Sequence, residues 1–172
     1  MSTEYLFAIV VLLGLLGIAV VGDLRRHRIP NTLILLGVGL GVVGQVYSAG
    51  LAGLGDGVLS MLIGFAIFLP MYALGGMAAG DVKLMAMVGA FLTPYDVLSA
   101  ALFSLIAGGV FGILIVLIRG QLQQTLQRYW LMLSARAYLA PATDEVAAKP
   151  FPYSVAILSG TLVSLFGLPL GQ

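Results

Sequence analysis

The chain has 172 residues, 60% hydrophobic and only 9% charged, with a mean hydropathy of +1.10 and a formal net charge of +1. This composition excludes a soluble globule and describes an integral membrane protein of one domain's length. With no cysteine and a single histidine, His27, it also excludes a disulfide framework, a Cys-based zinc site and a His-cluster metal site, so no metal or cofactor is expected, and nothing in it calls for nucleic acid.

A helix needs about 20 mostly apolar residues to cross the hydrocarbon core. The first such stretch is residues 5–22; the preceding Met1 to Glu4 lacks the basic region of a signal peptide and no cleavage pattern follows, so it is read as a retained span that closes on Asp23. Further spans are expected at residues 29–47, 58–74, 97–118 and 153–168. Between the third and the next full-length stretch lies a short one, Asp81 to Leu92, ended by Thr93-Pro94. It is short enough to be a buried core helix, a re-entrant segment or a span where the bilayer is thinned.

The basic residues decide how that stretch is counted. If it crosses, then Arg25, Arg26, Arg28, Lys83, Arg119 and the basic residues up to Lys149 all fall on one side, while Glu4, Asp56 and Asp96 fall on the other, as the positive-inside rule asks. The expected architecture is therefore an all-α polytopic bundle of about six transmembrane helices, the fourth short, with both termini outside. Within this single domain, residues 119–150 form one long connection. In it Leu122, Leu126, Trp130, Leu133 and Ala137 recur at helical spacing, which reads as an amphipathic helix lying in the cytoplasmic interface or packed on the bundle.

In this arrangement Asp23 ends the first span, Asp81 begins the fourth, and both lie at the same membrane face. A carboxylate beside hydrocarbon is costly, and marks a functional site when a partner can be named; here each names the other. Paired carboxylates hydrolyse peptides by sharing a proton, one activating water and the other donating to the scissile carbonyl. The helix dipole favours charge at Asp81 and disfavours it at Asp23, so Asp81 is expected to be the base and Asp23 the acid. Taken singly, Asp23 also reads as a topology-setting residue bridged to Arg25 or Arg26, and Asp81 as a helix N-cap. The run Gly75 to Gly80 before Asp81 offers close backbone approach for an extended substrate or, alternatively, small-residue helix packing. Lys83 reads first as a snorkelling side chain and second as a charge near the pair. Tyr153 and Trp130 are expected to be interfacial aromatics, and Pro30 to sit in the first turn of the second helix.

Three blocks carry a resemblance. Asp23-Leu24, with Ile29-Pro30-Asn31, is followed about fifty residues later by Gly76-Met77-Ala78-Ala79-Gly80-Asp81-Val82-Lys83-Leu84, and near the end comes Pro152-Tyr153-Ser154-Val155-Ala156. Together they resemble the type IV prepilin peptidase family, intramembrane aspartic proteases of the GxGD type. The resemblance implies that Asp23 and Asp81 are the catalytic pair and that Ala78, Ala79 and Gly80 form the substrate loop, Ala78 standing where the motif has its first glycine. It implies a pilin-like precursor as substrate, whose short basic leader is cut at the cytoplasmic face of a prokaryotic inner membrane. Larger members carry an N-methyltransferase portion with paired Cys motifs; a chain without cysteines looks like the short, peptidase-only form, similar to those serving Flp-type tight-adherence pili or archaeal pilin-like filaments. The basic loop Arg25, Arg26 and Arg28 would repel a basic leader and is assigned to topology and anionic-lipid contact.

Two other classes of function compete. A small ion-coupled transporter would use the aspartates as proton or cation sites, but such sites lie near the midplane between repeated halves, whereas these aspartates sit at segment ends and no repeat is visible. A noncatalytic pilus-assembly subunit is favoured by Ala78 alone.

Overall fold

The computed structural model describes residues 3–120 and 152–166, together with positions 123, 126, 127, 130, 131 and 134. Among them every regular element is an α-helix: α1 (Thr3–Arg26), α2 (Asn31–Ala73), α3 (Ala79–Gly89), α4 (Pro94–Ile118) and α5 (Ser154–Phe166).

Helix α2 is two of the expected spans joined by one residue. Gly50 takes φ 63, ψ −139, a conformation essentially reserved for glycine, and there the chain reverses. In a straight helix Gln45 and Gly57 would stand about 18 Å apart, yet a methyl placed on Gly57 would lie 3.4 Å from Gln45 Cγ. Residues 31–49 and 51–73 are thus the two arms of a hairpin.

Helices α1, α2 and α4 are long and apolar enough to cross a membrane. Their outer surfaces are apolar too: Phe7, Leu35 and Ile113 are 71%, 72% and 61% exposed. A continuous apolar exterior of this kind is tenable in lipid and not in water. The protein is an integral membrane protein.

Helix α3 is enclosed by the others. Leu84, Met85, Met87 and Val88 are completely buried, so a helix of 11 residues never has to match the thickness of the hydrocarbon by itself. Residues 79–89 are thus a helix enclosed in the core, and its shortness needs no thinning of the bilayer. The enclosure depends on glycines that let backbones touch: a methyl on Gly64 would meet the Met85 carbonyl oxygen at 2.7 Å, and one on Gly41 would meet the Ala90 backbone at 2.8 Å.

Contacts sort the chain into two ends. At one end Gln45 Nε2 donates to the Leu92 carbonyl (3.4 Å), Ser164 Oγ donates to the Asp96 carbonyl (3.0 Å), and Tyr5 lies within electrostatic reach of Asp96. There Thr93 caps α4, its hydroxyl accepting the Asp96 N–H at 3.2 Å with Pro94 in the first turn. At the other end Asp23 meets Ser154 and Lys83 meets Asn31. Helix α3 therefore runs from the Asn31 end to the Gln45 end.

Tyr153 corrects the sequence reading. Rather than standing at an interface it is 9% exposed, its hydroxyl donates to the Ser104 carbonyl (3.3 Å), and its ring meets Phe68 edge-on at 5.8 Å and fills the space over Gly108. Trp130 is exposed. The amphipathic helix expected in residues 119–150 lies mostly outside the described residues, Leu122, Leu133 and Ala137 included, as do residues 167–168 of the last expected span.

Candidate active site

The buried stripe of α1 runs Ile9, Leu12, Leu16, Ala19, Asp23, steps of three and four that keep one face toward the bundle. Asp23 is therefore the polar end of a core-facing row and is 7% exposed, while Arg25 and Arg26 on the following turn face outward. The helix closes just beyond it: His27 adopts φ 48 and donates its N–H to the Asp23 carbonyl at 2.7 Å, the αL form of C-terminal cap.

Asp81 is the third residue of α3 and is 4% exposed. Its Oδ2 accepts the Ala78 N–H at 3.1 Å, the reach-back half of a capping box. The N-cap position expected as the alternative for Asp81 falls instead to Ala78, and Asp81 caps only by reaching back from N3. The preceding turn places φ 75 at Gly75. Ala78, in contrast, is extended at φ −83, ψ 154, where a side chain is tolerated as readily as none.

Asp23 and Asp81 line one cavity of about 220 Å³ at this end of the bundle, close enough for the charge of one to bear on the other. Of the expected substrate loop, Ala78 and Gly80 line the cavity and Ala79 is exposed outside it. The rim is cationic. Lys83 lines it and donates from Nζ to Asn31 Oδ1 at 3.1 Å, with His27 and Arg28 on the wall. Arg28, which sequence reasoning left to topology, therefore stands at the cavity, while Arg25 and Arg26 do not line it.

One residue given no role from the sequence touches Asp23 directly. Ser154, completely buried, donates its hydroxyl to Asp23 Oδ2 at 2.6 Å, and its N–H lies 3.4 Å from the same oxygen. It opens α5. Asp23 thus faces the amide end of α5 as well as the carbonyl end of α1, and the helix-dipole argument that set Asp81 apart from Asp23 applies to both.

The family model of the type IV leader peptidase family matches residues 10–113, well over half of the chain. The protein is a member of the type IV leader peptidase family. The matched region spans most of α1, all of α2 and α3 and most of α4, so both aspartates lie within it; α5 and Ser154 lie beyond it. Membership supports a leader-peptidase-like proteolytic activity. Comparison with curated proteins and with solved structures gave no match.

Proposed function

We propose that this type IV leader peptidase family member is an aspartic endopeptidase that removes the short basic leader of pilin-like precursors, of the Flp type, at the cytoplasmic face of a prokaryotic inner membrane. The observation that carries the reading is the meeting of two buried carboxylates, from α1 and α3, in one 220 Å³ cavity at the basic end of an otherwise apolar bundle. Six spans with both termini outside fit the two-ended sorting of contacts, α2 contributing two and α3 one. The cavity opens at a bundle end, which suits a substrate cut beside its hydrophobic helix better than a carrier site at the midplane.

In the mechanism, the ionised aspartate takes a proton from water as the water oxygen bonds to the scissile carbonyl carbon. The protonated aspartate gives its proton to the carbonyl oxygen. The tetrahedral diol then collapses: the aspartate that took the water proton gives it to the leaving nitrogen, one diol hydroxyl returns its proton to the other aspartate as the C–N bond breaks, and the new carboxyl and amine ends separate with the pair restored. Two carboxylates this close hold one proton between them more readily than none. Ala78 and Gly80 offer backbone to an extended substrate beside Asp81. No N-methyltransferase step is assigned.

Co-expression with Flp-type precursors, followed by mass spectrometry of the leader, tests the reading. Wild type is expected to cleave, and Asp23→Asn and Asp81→Asn each to lose activity by about 10³-fold or more while remaining inserted. Cleavage surviving either change sinks the aspartate-pair mechanism.

A further inference from the structure

We propose that Ser154 is a positioning residue that makes Asp23, and not Asp81, the water-activating base. The inference rests on the aspartic-peptidase reading and deepens it.

Asp23 and Asp81 differ in the donors they receive. Asp23 Oδ2 receives a hydroxyl at 2.6 Å and has an amide N–H at 3.4 Å, both from Ser154. Both contacts fall on Oδ2, so a proton on Asp23 would be confined to Oδ1; the anion accepts them more strongly than the acid, and the contact therefore favours the ionised carboxylate and leaves Oδ1 open to water. Asp81 receives one backbone amide at 3.1 Å. Donors to the charged form favour that form, and hydrogen bonds to a charged group are the stronger kind. Of the two carboxylates, Asp23 is the better stabilised as an anion, so the shared proton resides on Asp81.

Ser154 sits in packed surroundings. The neighbouring Tyr153 is anchored to the Ser104 carbonyl and packed over Gly108 and against Phe68. Ser154 itself is buried at the first turn of α5, and Gly160 of that helix lies against the Ser104 backbone of α4. Its hydroxyl is therefore presented to Asp23 from a packed helix start. The charged and titratable groups that line the cavity with Asp23 are Asp81 and Lys83 of α3 and His27 and Arg28 after α1, and Tyr153 of α5 lies within electrostatic reach of Asp81.

The test is a pH–rate profile of precursor cleavage for full-length wild type, Ser154→Ala, Ser154→Thr and Ser154→Cys, with thermal unfolding in detergent as the control for folding. Removing the hydroxyl makes Asp23 easier to protonate, so the acid limb of kcat is expected to move up by about one pH unit in Ser154→Ala. At a given pH on the acid limb kcat is therefore expected to fall about tenfold, with KM within about twofold. Ser154→Thr keeps a hydroxyl and is expected to restore both. Ser154→Cys, with a weaker donor, falls between, and carries the test if the alanine variant does not accumulate. A lowered unfolding temperature with an acid limb superimposed on wild type would make Ser154 a structural residue only and overturn the inference. Under that outcome the aspartic-peptidase reading stands as long as Asp23→Asn and Asp81→Asn remain inactive; cleavage by those two variants would instead defeat the reading itself.

Discussion

The methyl of Ala78, where the motif of the resembling family has glycine, sits on extended backbone at φ −83, ψ 154 and carries no conformational cost. Ala78→Gly is accordingly expected to leave the cleavage rate unchanged and to destabilise the protein by about 0.4–1 kcal/mol, through the greater freedom of the unfolded chain. Initial rates and thermal unfolding in detergent check both halves, and a faster variant would show that the methyl obstructs the substrate. His27 is the opposite case. Its φ of 48 is tolerated in a residue with a Cβ at a cost that glycine avoids, so His27→Gly is expected to raise stability by about 1 kcal/mol. A loss of activity in the same variant would mean that the imidazole on the cavity wall takes part in substrate handling.

At the scale of elements, α3 holds its place by backbone contact. A methyl on Gly89 would meet the Ser60 carbonyl oxygen at 2.5 Å and the Met61 Cα at 2.9 Å, neither of which can swing away as a side-chain tip does. Gly89→Ala is expected to cost about 1–3 kcal/mol by overpacking, read as a lowered unfolding temperature and reduced cleavage, because α3 carries Asp81 at its other end. Gly39, with open space around its Cα, is the matched control: Gly39→Ala should be neutral or slightly stabilising, since alanine is the better helix former. Equal effects from the two would refute the packing role of Gly89.

For the whole molecule, the absence of cysteine makes topology measurable. Under the proposed orientation Leu51→Cys, at the Gly50 reversal, is expected to react with a membrane-impermeant maleimide added to intact spheroplasts. Arg26→Cys and Gly76→Cys, at the aspartate end, are expected to react only after lysis. The reverse pattern would invert the molecule and place the cavity away from the cytoplasm.

Composition alone settled the solvent, because a chain this apolar has no stable form in water. The rarity of charge in it made Asp23 and Asp81 stand out, and the distribution of Lys and Arg put them on one face. Helix positions were also readable, Thr93-Pro94 among them, since capping and span length are local properties. What the sequence could not show is which side of each helix faces inward. In lipid the outward face is as apolar as the core, so the residues Ile9, Leu12, Leu16 and Ala19 that lead to Asp23 look in sequence like the lipid-facing row beside them. Tyr153 was misplaced for the same reason: an aromatic near a span end is ordinary at an interface, and only the gap over Gly108 and the Ser104 carbonyl draws it into the core. The burial of α3, the reversal at Gly50 and the hydroxyl of Ser154 on Asp23, 131 residues away, were decided by tertiary packing, because close backbone approach and a paired buried carboxylate exist only once distant segments meet.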